Sequence, residues 1–395
     1  MANTILTSDI LAREALMVLE NNLVMGALAD RRYESEFSTG RQGDAIRIRR
    51  PASFTAAEFT NNGSNSVNNQ DATELATTLR LEKLFDVSFQ VTAKEMALSV
   101  DDFSANLMQP AMAAMAQKID DYICSKFIEI GGTAEVSDAA ARMTEIAHIA
   151  KVVQRLNEQK APMQGRSLVV SPAQMTSLYS ISEFAKASER GDGGTAIREA
   201  SLGRFMGMDI YMDQNINSHT TGTQRTDRTL AVHQSSADVK KGASSFAIDG
   251  SASGTTTIKQ GDTIRITHTS GNKFDYVVTN ESDVTGQNTT ATLNVSPPLY
   301  EDLDEDNVVE LIVSLATSQQ NMAFTENAIA LAMVPLDEPM GPGTDSSVVS
   351  HNGYSMRASI TYNHAKKMDE VSLDVLVGAK VVQPEMAVRI PTTAA

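Results

Sequence analysis

Hydrophobic and polar positions change period several times along this chain. From Ile10 to Glu20 the residues Leu11, Ala15, Val18 and Leu19 recur at helical spacing behind the capping groups of Thr7, Ser8 and Asp9, which predicts an amphipathic helix. Between Arg41 and Arg50 the period drops to two, as Ile46 and Ile48 alternate with Arg47 and Arg49. Residues 54–70 are rich in Asn, Ser and Thr, and alternation returns from Leu79 to Val91. The pattern predicts two long strands joined by a polar tip. With so few apolar residues near that tip, the hairpin is expected to lie on another subunit or stay mobile.

Ser99 and Asp102 cap a short predicted helix, and Pro110 opens a longer one whose face carries Met112, Met115, Ile119, Ile123, Phe127 and Ile130, up to a stop at Gly131-Gly132. A third helix is predicted from Asp138 to Glu158, then a strand at Ser167–Val170 and a helix at Ala173–Tyr179 behind Ser171-Pro172. Residues 188–195 read as a glycine-rich loop, and Gly203–Met212 as a turn into a strand. A polar linker over 215–228 leads to Thr255–Pro298, where alternation is densest. There Ile264 and Ile266 alternate with Arg265 and Thr267 behind a Gly261-Asp262 turn, and strands follow at Phe274–Thr279 and Thr290–Val295. This is the pattern of an all-β module inserted into a mixed host, and the chain as a whole is α+β. The host resumes at Ala323–Pro335, a loop is predicted over Pro335–Ser347, and Met356–Tyr362 and Val371–Arg389 read as closing strands.

At 395 residues the chain has room for two or three folding units. Its 33 basic and 49 acidic residues give a net charge of −16, which opposes a tight, sequence-independent grip on nucleic acid. The single cysteine, Cys124, excludes an internal disulfide and fits a reducing compartment. No apolar run is long enough to span a bilayer, and Met1-Ala-Asn-Thr lacks the basic start of a signal peptide, so no membrane association is expected.

Candidate chemistry is sparse. The six histidines never stand at metal-ligand spacing. Asp302, Asp304 and Asp306 imitate the start of a calcium loop, but Asn307 occupies the glycine position and Val313 that of the bidentate carboxylate. Gly250-Ser-Ala-Ser-Gly254 puts alanine where a hydrolase elbow needs its nucleophile. Asp101-Asp102 and Asp120-Asp121 are adjacent carboxylates pointing in different directions, explained by capping and by solvation respectively. Neither an enzyme nor a cofactor is expected. Arg41, Arg47, Arg49 and Arg50 form the one notable basic cluster, read as an exposed strand face or as a partner for acidic surface on a neighbouring subunit, with nucleic acid third.

The order of N-terminal helix, polar-tipped hairpin, rod-like helix, α/β domain with a glycine-rich loop and closing strands resembles the Hong Kong-type major capsid protein of tailed bacteriophages. The string Ile258-Lys-Gln-Gly-Asp262, the run from Asn321 to Leu336, Gly203-Arg-Phe-Met-Gly207 and Gly378–Glu385 are similar to coat proteins of Salmonella-type short-tailed phages. This resemblance implies a virion shell subunit, built in the host bacterial cytoplasm, that assembles as hexamers and pentamers of itself with scaffolding and portal proteins. Such a shell encloses double-stranded DNA with weak nonspecific contact at most. It also implies a division into an N-terminal arm (1–32), extended loop (33–92), spine helix and peripheral domain (93–135), axial domain (136–224), insertion domain (225–317), axial return (318–350) and peripheral closing strands (351–395). Arg41, Arg47, Arg49, Arg50 and Glu58 become candidates for extended-loop contacts between subunits, Asp238, Lys240 and Lys241 for insertion-domain contacts, and Asp9 and Glu14 for a basic scaffolding helix. The first lysine is Lys83, beyond the hairpin tip, so the shell is expected to be held without covalent cross-links. Competing readings are a β-rich binding module, a phage surface or decoration protein, and an enzyme whose site spacing does not reveal.

Overall fold

The computed structural model describes residues 8–33, 36–37, 43–50, 56, 76–92, 107–134, 142–185, 202–222, 230–233, 239–249, 256–268, 270–286, 291–305, 307–312, 317–339, 344–366 and 368–393. The first periodic segment forms the helix Ser8–Asn22, which buries Leu11, Ala12, Ala15, Leu16 and Leu19, and a short turn of helix follows at Met25–Leu28. The helix that Pro110 opens spans Gln109–Cys124 and then tightens into a 3-10 segment, Ser125–Glu129, so it is shorter than the predicted rod. The third helix begins at Ile146, not Asp138. His148 causes part of that difference, because its Nδ1 accepts the Thr144 N–H at 3.2 Å and so satisfies a donor just ahead of the first turn.

Two sheets and a barrel organise the chain. In the first sheet, Met368–Val381 is the central strand. On one side it pairs antiparallel with Tyr354–Asn363 and Ile329–Val334, and on the other with Lys83–Thr92. Thr344–His351 pairs with Tyr354–Asn363 on the outside. The N-terminal helix and the long helix share a core with this sheet: Leu11, Met112, Met115, Ile119 and Ile123 join Met356, Leu373, Val375 and Val377. The second sheet runs Gly132–Thr133, Ala387–Thr392, Thr317–Thr325, Arg166–Val170, Met208–Met212, Arg204–Phe205. Its strand Thr317–Thr325 is buried on both faces: Met322 and Phe324 join the first core, and Ala323 enters a second core with the helices Ile146–Glu158 and Pro172–Tyr179. That is why Met322-Ala-Phe324 reads as a continuous apolar run without alternation.

Six strands, Leu230–Val232, Ser245–Asp249, Thr263–Thr267, Lys273–Val278, Ala291–Ser296 and Val308–Leu311, close into a barrel with its own core of Ile264, Ile266, Tyr276, Val278, Leu293 and Val295. The chain leaves the host at Ser218–Thr220 and returns at Thr317, and Thr220 pairs with Thr317, so both connections meet at one point.

The long strand predicted from Leu79 to Val91 is two strands. Ala76–Arg80 pairs with Ala45–Arg49 in a separate two-stranded sheet, and Lys83–Thr92 crosses to the large sheet. The inward parity runs unbroken through Leu79, Leu81, Phe85, Val87 and Phe89, so alternation alone carries no sign of the break. The root of the hairpin is also packed on its own chain: Ile46, Ile48 and Leu79 are buried with Ala330, Ala332 and Val382. Residues 57–75, where the polar tip falls, lie outside the described residues. The loop predicted over Pro335–Ser347 gives way to strand at Thr344, and the closing strands are interrupted by a 3-10 turn at Pro384–Met386.

Candidate functional site

Pairing Ile46 with Leu79 and Ile48 with Thr77 turns the apolar side of the hairpin root inward, so Arg47 and Arg49 point outward and are exposed, as is Arg80. Arg50, one residue beyond the strand, is different. Its Nη2 donates to both carboxylate oxygens of Glu385 at 2.7 Å, and its side chain is 13% exposed, so it clamps the hairpin root to the 3-10 turn of its own chain. Arg41 and Glu58 lie outside the described residues.

On the barrel, Lys240 Nζ stands 3.2 Å from Asp302 Oδ2, and the Lys241 backbone N–H donates to Asp302 Oδ1 at 2.7 Å. That N–H and the Lys240 ammonium hold the Asp302 carboxyl below the usual carboxylate range. Asp238 lies outside the described residues. Residues 301–305 are tied into the barrel: Leu303 is buried in its core, and Glu301 accepts from Ser270 and Asn272. On the N-terminal helix, Asp9 pairs with Arg13 one turn on and accepts from Ser347 Oγ, while Glu14 is half-buried. The described candidates sit on three separate elements and form no single cleft.

Two polar constellations escape a reading by spacing. Asp120, assigned to solvation in the sequence, is 2% exposed and accepts the backbone N–H groups of Val24 and Gly26 at 2.8 and 3.0 Å. It thus fastens the turn after the N-terminal helix to the long helix. Burial pushes its carboxyl up to about 7, against the backbone donors, with the nearby Asp213 charge adding to the rise. Asp213, also buried, is raised for the same reason. The signal was present in the helical wheel: Asp120 follows Ala116 by four residues and precedes Cys124 by four, both buried.

The second constellation is the seam between barrel and host. Asp262 is buried and accepts from Gly222 N–H and Lys259 N–H, with His219 Nε2 at 2.8 Å. Beside it, fully enclosed Arg389 donates to the Gly261 carbonyl at 2.7 Å and to Gln320 Oε1, over the Phe127 ring. Burial lowers this guanidinium to about 10, partly offset by Asp262. Asp275 of the barrel bridges Arg265 within the barrel and Arg155 of the helix Ile146–Glu158, at 2.8 and 2.7 Å. Asp262 and Asp275 on the barrel and Gln320 and Arg389 on the host come from three separate stretches of the sequence, which is why spacing does not reveal the seam. Among the described residues no three of His, Cys, Asp and Glu are arranged to hold a metal, and no helix is long and apolar enough to cross a membrane.

No family model matches the chain, and no curated protein matches it in sequence. Among solved structures it is similar to one titled "Mycobacterium phage Che8", at 15% identity and a TM-score of 0.52, over 93% of this chain and 90% of that one. A structure of the head of Helicobacter pylori bacteriophage KHP40 follows at 11% identity, a TM-score of 0.48 and coverage of 88% and 85%. The capsid structure of the cyanophage P-SCSP1u matches at 10%, a TM-score of 0.45 and coverage of 90% and 86%. The mixed α+β fold of this chain is thus one found in a solved phage structure.

Proposed function

We propose that this chain is the structural shell subunit of a tailed-phage head. The likeness to the phage Che8 structure carries this reading, because it extends over 93% of this chain and 90% of that one and leaves no large part over for a separate activity. Its role is mechanical: copies assemble into an icosahedral shell of hexamers and pentamers, with scaffolding and portal proteins, around double-stranded DNA. The net charge of −16 suits a wall that encloses DNA without gripping it. The domain division implied by the capsid resemblance, with the barrel as the insertion domain of Salmonella-type coats, belongs to the same proposal.

Within that role the exposed Arg47 and Arg49 are assigned to neighbouring subunits, with Arg41 and Glu58, while Arg50 fixes the root from which they project. Asp238, Lys240 and Lys241 are assigned to contacts through the barrel, and Asp9 and Glu14 to scaffold, whose cation displaces Arg13 from Asp9. Electron microscopy and light scattering of the purified chain, alone and with the scaffolding protein of the same phage, test the reading. Capsomers or closed shells are expected; a uniform species of one chain under both conditions overturns it.

A further inference from the structure

Four strands of the large sheet lie side by side in the order Lys83–Thr92, Met368–Val381, Tyr354–Asn363, Thr344–His351, each antiparallel to the next. Among the described residues no strand pairs with the outer edge of the first or of the last. Native proteins protect such edges with prolines, bulges, lysines or short length. Here the ladders run without a bulge over all ten residues of Lys83–Thr92 and all eight of Thr344–His351. Neither strand contains proline, and Thr344–His351 contains no lysine or arginine. Among the described residues, two long, regular edges therefore stand on opposite sides of one sheet with no further strand added to either.

Strand direction makes the two edges complementary. With four strands in strict alternation, the first and last run in opposite directions. A second copy set beside the first in the same orientation brings its Lys83–Thr92 strand antiparallel to Thr344–His351, so the ladder continues without inverting the subunit. Such a contact joins unlike surfaces and, when its rotation closes, makes rings. Side chains agree with this pairing. Leu84 and Val348 are 54% and 38% exposed and lie on the same side of the sheet, because Asp86 and Arg357 flank Asp374 there. On the other side, Phe85 and Phe89 are half-buried against the core of their own chain, and Met17 and Val349 line a groove between the N-terminal helix and the outer strand.

We propose that these edges are two halves of one interface, in which Lys83–Thr92 of one copy adds to Thr344–His351 of the next and carries the sheet from subunit to subunit. The proposal rests on the shell-subunit reading and names the surface through which copies join. Its test replaces Leu84 with the photo-cross-linker p-benzoylphenylalanine in a mixture of isotopically light and heavy chains, with particle size read by light scattering and cross-linked peptides by mass spectrometry. Light-to-heavy links from position 84 into residues 344–351 are the expected result. Assembled particles whose links fall elsewhere, or only within one chain, overturn the interface and leave the shell reading intact. A species of one chain removes both. The double variant Ser346→Lys, Val348→Lys protects the outer edge with charge; it is expected to keep its circular dichroism spectrum and lose the assembled fraction, and unchanged assembly overturns the proposal.

Discussion

Asp120 shows how much one residue decides. Its carboxyl sits at about 7 in the folded chain against an ordinary value of 3.8, so the folded state holds its proton more tightly than the unfolded state does. The contribution to stability is therefore complete below pH 4 and is lost as pH rises through about 7, with a slope of at most about 1.4 kcal/mol per pH unit between those limits. Urea unfolding between pH 5 and pH 8 is expected to show this fall, and Asp120→Asn to flatten it. An unchanged slope in the variant would place the titration elsewhere, Asp213 being the next group to test. Asp275 makes a related case at the seam, since its buried carboxylate serves two arginines from different parts of the fold. Asp275→Ala is expected to cost roughly 1–3 kcal/mol, read as a lowered melting temperature. The helical spacing of Asp120 from Ala116 and Cys124 places it toward the core, but the groups that receive either aspartate are not legible in the sequence, because they depend on what packs over them.

Among elements, the hairpin root is the instructive case. Periodicity finds its strands, yet it cannot find the point where the chain changes sheets, because the inward parity is the same on both sides of Leu81-Glu82. The crossing is set instead by a contact from far along the chain: a Cβ at Gly378 would overlap the Arg80 carbonyl. Gly378→Ala is expected to cost about 1–3 kcal/mol and to loosen amide exchange protection in both 45–49 and 76–80. Arg50→Ala removes the clamp to Glu385 without touching the apolar root. Its expected effect is smaller, on the order of 1 kcal/mol, with faster exchange confined to the hairpin. Equal loosening throughout the large sheet after Arg50→Ala would show that the clamp supports more than the hairpin.

At the scale of the whole molecule the barrel is a closed unit with its own core, tied to the host at one pair of connections and along a polar seam. Because Thr220 and Thr317 are paired, residues 223–316 are replaceable by a short glycine-serine link without stretching the host. Thermal melts followed by circular dichroism are expected to show a folded but less stable host, since Arg389 loses the Gly261 carbonyl and the neighbouring Asp262 and is left as an uncompensated charge. Adding Arg389→Met to the deletion is expected to recover part of the loss. No recovery would mean that the seam's polar contacts contribute little beside its packing.

Local pattern by itself determined the types of most described elements, the run of strands that forms the barrel and the outward face of Arg47 and Arg49, because period and turn chemistry act between residues close in sequence. Tertiary structure alone decided which groups Asp120 and Arg389 are buried against, that Arg50 is bound within its own chain, and that one apparent strand serves two sheets. Each of those depends on a partner more than ninety residues away, about which a local pattern carries no information.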